Sequence, residues 1–343
     1  MENIIQAEVN TSREQNKEII QRIQKRTLMM DMSECSWGEG VALWGFNRSL
    51  SEAPNGEYLP FLKEWVKNGI AEGRFQHTVN TSIPCIGLGE VYKATGDKEA
   101  LRIIQNQADY LMYEALRLQN GAIIHTDPNA RFGRQMWVDT VFMAGLFLAY
   151  MGKLTHQQAY IEEAMRQLII HMEVLQAQDG LLYHGWDETL NETIGCKWGR
   201  ANAWACVGIV EMLDYMPADP RMAQALNRLL DGAAPWQKEN GLWRTVLDGS
   251  FSYLEASSAY GFGYTIYKGV RMGIVDRKYL ELVDRMSETL LQNVDETGKV
   301  NNISAGTPVM RNEGEYNIIC EHRIQPWGQG LALLYFSERQ GWL

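Results

Sequence analysis

Four stretches share one grammar: residues 120–127 (NGAIIHTD), 179–188 (DGLLYHGWDE), 240–248 (NGLWRTVLD) and 297–304 (TGKVNNIS). Each begins with a polar residue and a glycine and continues as an apolar or extended run. The glycines, Gly121, Gly180, Gly241 and Gly298, stand 59, 61 and 57 residues apart. A weaker copy starts at Gly73 (EGRFQHTVN). A fixed period of this size marks a repeat architecture, in which one supersecondary unit recurs and buries its apolar face against its neighbours.

Between the glycine marks each unit holds two helical patterns. Residues 136–151 (MWVDTVFMAGLFLAYM) are apolar nearly all round and predict a buried helix; residues 157–175 carry one apolar stripe and one charged face and predict a helix half in solvent. The same order recurs at 199–214 and 219–236, at 256–272 and 277–293, and earlier at 38–50 and 57–68 and at 80–95 and 97–117. An amphipathic 9–26 opens the series and a buried 326–338 ends it. That makes about twelve helices, alternately outer and inner. The fold expected is all-α, an (α/α)6 toroid formed by residues 1–343 as one catalytic domain. A closed ring has no uncapped end, unlike an open solenoid. The glycine-marked stretches all run from an outer helix to the next inner one, so they gather on one rim, where a cleft is expected.

Composition narrows the function. The net charge of −10 argues against nucleic acid or an anionic membrane as partner. No run approaches the roughly 20 apolar residues of a membrane span, and the opening residues lack a signal-peptide core, so a cytoplasmic location is expected. Cys35, Cys85, Cys196, Cys206 and Cys320 form no paired spacing. With no metal-binding or phosphate-binding motif present, neither metal nor cofactor is expected. Eleven tryptophans, many in turn-like segments, suggest a cleft that stacks sugar rings.

Candidate chemistry lies on the rim. Asp139 stands at the start of the most apolar inner helix. It is either a first-turn acid stabilising that helix or a general acid whose carboxyl is pushed up by apolar surroundings. His184, Trp186, Asp187, Trp198, Arg200 and Trp204 fall within about twenty residues of one another. An arginine between two tryptophans (WGRANAW) is suited to a carboxylate, which it can grip with two parallel hydrogen bonds. The alternative is that Arg200 ties two rim loops together through backbone carbonyls. His77 and His125 lie on rim stretches as well.

At these residues the chain resembles the unsaturated rhamnogalacturonyl hydrolases, glycoside hydrolase family 105, and more distantly the unsaturated glucuronyl hydrolases of family 88. The resemblance runs from Trp37 to WGQGLALL at 327–334 and rests on QMWVD (Asp139), LYHGWDE (His184), WGRANAW (Arg200) and YLEASSA at 253–259. It implies a small anionic oligosaccharide as substrate, left by a polysaccharide lyase with a C4=C5 double bond in its terminal uronic acid. It further implies that Asp139 protonates C4 and helps water add at C5, and that Trp37, His125, Trp137, His184, Arg200 and Trp204 recognise the sugar. Where some relatives place a second aspartate, this chain has Asn80, which also joins the binding set. The leaving sugar expected is rhamnose. An unsaturated glucuronyl hydrolase on another lyase product, a classical two-carboxylate glycosidase, an epimerase using His184 with His322, and a non-catalytic sugar-binding protein are the alternatives on the same toroid.

Overall fold

The structure, a computed structural model, describes residues 2–321 and 323–343. Its helices come in consecutive pairs: α1 (Glu2–Leu28) with α2 (Trp37–Ser49), α3 (Tyr58–Ala71) with α4 (Ile86–Thr95), α5 (Lys98–Asp109) with α6 (Phe147–Thr155), and α7 (Gln158–Leu175) with α8 (Gly199–Met212). They continue with α9 (Pro220–Ala233) and α10 (Ser257–Arg271), then α11 (Leu280–Gln292), the short α12 (Glu313–Asn317) and α13 (Pro326–Gln340). The second helix of each pair is the inner one. Every residue of α8 is buried, as is α10 from Ser257 to Val270 and α13 from Trp327 to Phe336. An outer helix such as α9 buries one stripe instead, through Met222, Ala225, Leu226, Leu229 and Leu230. The inner helices neighbour one another in the order α2, α4, α6, α8, α10, α13 and back to α2, α8 meeting the helical stretch Val141–Leu146 that leads into α6. This is the (α/α)6 toroid that the repeat predicts. Closure is tight: a Cβ on Gly45 of α2 would lie 2.1 Å from the Gly330 carbonyl oxygen of α13.

The four glycine marks are four copies of one turn. Gly121, Gly180, Gly241 and Gly298 all have φ between 79° and 89°, the left-handed region that a side chain strains to adopt. The residue three before each glycine accepts the glycine N–H, and its own N–H donates to the residue just after the glycine (Leu118, Ala177, Lys238 and Asp295 onto Ala122, Leu181, Leu242 and Lys299). In three copies the preceding Asn or Asp accepts the N–H two residues on, which explains the polar residue before the glycine. A Cβ on Gly180, Gly241 or Gly298 would lie 2.0–2.3 Å from backbone of α9, α11 or α1. Each turn therefore presses on the next outer helix, and the last presses on the first. Gly73 is different. There Arg74 N donates to Gly69 O and Gly73 N to Ile70 O, so this glycine ends α3 without a returning strand.

Short strands decorate the rim. β1 (Thr126–Asp127) pairs with β2 (Ala130–Arg131), β3 (Gln135–Trp137) with β4 (Gly185–Asp187), β4 with β5 (Glu192–Ile194), and β6 (Trp243–Arg244) with β7 (Leu254–Glu255). β3 corrects the sequence expectation that a helix begins at residue 136. The strand sets Trp137 opposite Gly185, and Val138 N donates to His184 O before the chain turns inward. The inner helix opens at Asp139 and continues through a widened π-helical stretch, Val141–Leu146, into α6. An apolar run buried on every side gives no period by which strand and helix can be told apart.

Candidate active site

The connections from outer to inner helices enclose a rim pocket of about 170 Å³. Its floor and walls are Asp139, His125, Trp137, Trp198, Trp37 and Phe132; its mouth adds Asn80, Asp127 and the loop Gly306–Thr307–Pro308.

Asp139 is placed by the β3-to-α6 corner. Its side chain is 13% exposed, and its Oδ2 lies 3.4 Å from His184 Nε2. Neither atom has a well-formed hydrogen bond among the described residues. Burial would raise the Asp139 carboxyl, but the approach and charge of His184, with a smaller contribution from His125, hold it below the ordinary carboxylate value. The raised carboxyl expected from the apolar neighbours is therefore not what the unliganded protein has: His184 outweighs desolvation. His184 is fully buried, 4.5 Å from the Trp198 ring and 5.3 Å from Trp137, with Nδ1 2.8 Å from Tyr316 Oη.

His125 and Trp137 form one flat wall, their rings stacked at 4.5 Å and 9°. His125 Nδ1 meets Thr140 Oγ1 at 3.1 Å, and burial lowers the imidazole to about 4, so this ring is neutral at pH 7. Trp137 Nε1 donates to Gln135 Oε1 (3.0 Å), whose Nε2 donates to Asp187 Oδ2 (2.8 Å), which fixes the indole plane. On another side Trp37, the first residue of α2, packs against Trp327 at 4.4 Å.

Asn80 and Asp127 meet at the mouth, where Asn80 Nδ2 donates to Asp127 Oδ2 at 3.0 Å. Replacing Asn80 by Asp would set two carboxylates at that spacing and push one of them up. Asn80→Asp is expected to raise KM for an anionic sugar by about tenfold at pH 7 and by less at pH 5, where one of the pair is protonated. Steady-state kinetics at the two pH values checks this; an unchanged KM would detach the pair from substrate binding.

Two residues expected at the pocket lie behind it. Arg200 is fully buried. Its NH1 donates to Ser304 Oγ (2.5 Å), Ser304 O (3.2 Å) and Ser257 Oγ (3.3 Å), and its NH2 to Ala305 O (2.7 Å) and Thr307 Oγ1 (3.3 Å). Its guanidinium also stacks 4.5 Å over Trp198. The fork expected for a substrate carboxylate is thus occupied by the loop that bears Thr307, the loop-tying arrangement. Trp204 is fully buried too, 5.2 Å from Phe142 and edge-on to Trp37 at 6.3 Å, and supports that ring from beneath. His77 stacks on Tyr110 away from the pocket, and His322 lies outside the described residues. Sequence reading missed Asp127, Phe132, Thr307 and Tyr316. HTD at 125–127 was a usable signal, since Asp127 follows His125 in a glycine-marked stretch; nothing marked Tyr316, which arrives from α12.

The fold is a helical toroid with an aspartate-bearing rim pocket, and its family makes it a glycoside hydrolase. The model of the family described as Glycosyl Hydrolase Family 88 matches residues 10–342, and the chain belongs to that family. It is 34% identical over 328 residues to the unsaturated rhamnogalacturonyl hydrolase YesR of Bacillus subtilis, covering 93% of each chain. A crystal structure from Salmonella enterica, titled as a possible member of the GH105 family, superposes with a TM-score of 0.89 at 28% identity, over 96% of this chain and 94% of that one. An unsaturated glucuronyl hydrolase specific for heparin shares the fold at a TM-score of 0.75 and 16% identity, over 94% of this chain and 96% of that one. Among the described residues no helix is long and apolar enough to cross a membrane.

Proposed function

We propose that this glycoside hydrolase removes the 4,5-unsaturated uronic acid from the non-reducing end of lyase-generated oligosaccharides, with rhamnose as the leaving sugar, as in fragments of rhamnogalacturonan. The observation that carries the reading is the Asp139 carboxylate, which lines the rim pocket beside His125 and Trp137 with its Oδ2 turned back toward His184. The full-length similarity to an enzyme named for unsaturated rhamnogalacturonyl substrates supports the choice of sugar.

The chemistry follows from the bond attacked. A C4=C5 enol ether is protonated at C4, and the positive charge this leaves at C5 is shared with the ring oxygen. Asp139 gives that proton, then as carboxylate takes one from the water that adds at C5, and so is regenerated. The C5 hemiketal opens, and the neighbouring sugar leaves. The flattened ring of the unsaturated sugar suits the stacked His125–Trp137 wall. Asn80, Asp127 and Thr307 offer hydrogen bonds to its polar edge, while Trp37 flanks it. Arg200 places Thr307 and contributes positive charge from behind the wall. Metal and cofactor have no part in this scheme, and location in the cytoplasm is consistent with a substrate already cut to a small oligosaccharide. Loss of ultraviolet absorbance from lyase-digested rhamnogalacturonan tests the activity. A panel of unsaturated disaccharides tests the leaving sugar, and faster turnover of a glucosamine-linked substrate than of a rhamnose-linked one would reverse that assignment.

The low carboxyl of the free protein gives a pH prediction. Donation requires Asp139 protonated, so activity falls as pH rises through its pKa. The entering uronate, by its charge and by excluding water, raises that pKa in the complex. The falling limb of kcat should therefore lie at higher pH than that of kcat/KM, which should drop by about one decade per pH unit above pH 5. Coincident limbs, or a flat profile to about pH 9, would remove Asp139 from the acid role.

A further inference from the structure

The tautomer of His184 is dictated from outside the pocket. A neutral imidazole carries one ring proton, and its position decides whether Asp139 faces an N–H or a lone pair. Nε2 points at Asp139, 3.4 Å away, and Nδ1 at Tyr316 Oη, 2.8 Å away. That phenol oxygen already accepts the backbone N–H of Cys196 (3.4 Å) and of Met310 (3.3 Å). A backbone N–H can only donate, so the phenol's own proton is left for Nδ1. Nδ1 must then accept, and the ring proton sits on Nε2.

We infer that Tyr316 is a positioning residue for the reaction, which holds His184 in the tautomer that turns an N–H toward Asp139. The inference rests on the role proposed above for Asp139, but the geometry stands without it. Tyr316 is fully buried, its ring 6.5 Å from Trp198 and 5.9 Å from His184, and a Cβ on Gly195 would lie 2.7 Å from its oxygen. It cannot swing aside to offer its proton elsewhere. Burial keeps the phenol above its ordinary pKa, and thus protonated. The other ionisable groups around His184 are Asp139, the neutral His125, the Cys196 thiol, which burial pushes up to about 11, and Arg200 on the far face of Trp198. Among the described residues none of them hydrogen-bonds Nδ1. The mechanistic consequence is that, once Asp139 has given its proton to C4, the new carboxylate meets an N–H already in place. No ring flip or proton relocation on His184 is needed.

The test reads the tautomer directly. Nitrogen NMR of the full chain with 15N-labelled histidine, the His184 signal assigned by its loss in His184→Gln, is expected to show the proton on Nε2 wherever the ring carries a single proton. A proton on Nδ1 in the unaltered protein overturns the inference, whether or not the protein acts on unsaturated uronides. Tyr316→Phe keeps the ring and removes the donor. It is expected to admit the Nδ1–H tautomer, to lower the low-pH plateau of kcat about tenfold with KM nearly unchanged, and to move the falling limb of kcat up by about one pH unit, because the Asp139 carboxylate loses its N–H partner. A wild-type pH profile and an Nε2–H signal in that variant would also overturn it, and reduce Tyr316 to packing.

Discussion

Asp139→Asn is expected to lose at least about a thousandfold in turnover while the protein folds and binds as before. The replacement has the same shape, and its amide oxygen can still face His184. What it lacks is a proton to give to C4 and a base to take one from water. Removing a general acid–base typically costs 10²–10⁴-fold, and here both steps depend on the same group, so the upper end applies. Affinity should hold or improve, since a negative charge is removed from a pocket that receives an anion. The absorbance assay gives the rate, thermal melting the fold and calorimetry the binding. If more than about a tenth of the rate survives, the proton comes from another group.

The second large effect is on stability. Arg200→Lys keeps the charge but not the planar fork that serves Ser304, Ala305, Thr307 and Ser257 at once. An ammonium satisfies some of these acceptors and leaves the rest buried without a donor. Hydrogen bonds to charged groups contribute about 1.5–3 kcal/mol each, so a loss of about 3–5 kcal/mol is expected, with a melting temperature lower by about 5–10 °C. KM should rise with it, because the loosened loop carries Thr307 and Pro308 into the pocket. A raised KM with an unchanged melting temperature would mean instead that the guanidinium addresses the substrate itself.

The ring was legible because it is periodic. The Asn/Asp-Gly marks betray the turns, since few residues other than glycine tolerate φ near 80° against a neighbouring backbone. The alternation of all-apolar with striped helices betrays inner and outer positions. Asp139, His125 and His184 could be gathered from the rim stretches and Trp37 and Trp137 from the family resemblance, and the structure brings the five together. Arg200 and Trp204 were drawn to the pocket because residues at the start of an inner helix can face either the cleft or the layer beneath it. One helical turn decides between them, and sequence does not state the rotation. The loop 303–308 has no helical or strand period, and Tyr316 reaches His184 across 132 positions of chain, so no local pattern could announce either.

The fourth glycine turn has a further consequence, for synthesis. Its partner is α1, with Gly298 seated on the backbone at Arg22 and Ile23. α1 also packs on α13, where Asn16 Nδ2 donates to Phe336 O at 2.8 Å. α1 therefore finds its seat among elements made about three hundred residues later. While the ribosome adds the intervening residues, at roughly 5–20 per second, the face of α1 that receives α13 and the Gly298 turn stays open. Contacts that span almost the whole chain also carry the largest loop-closure cost, which slows folding. An unfinished ring therefore leaves an apolar edge without its partner, the kind of surface that favours aggregation.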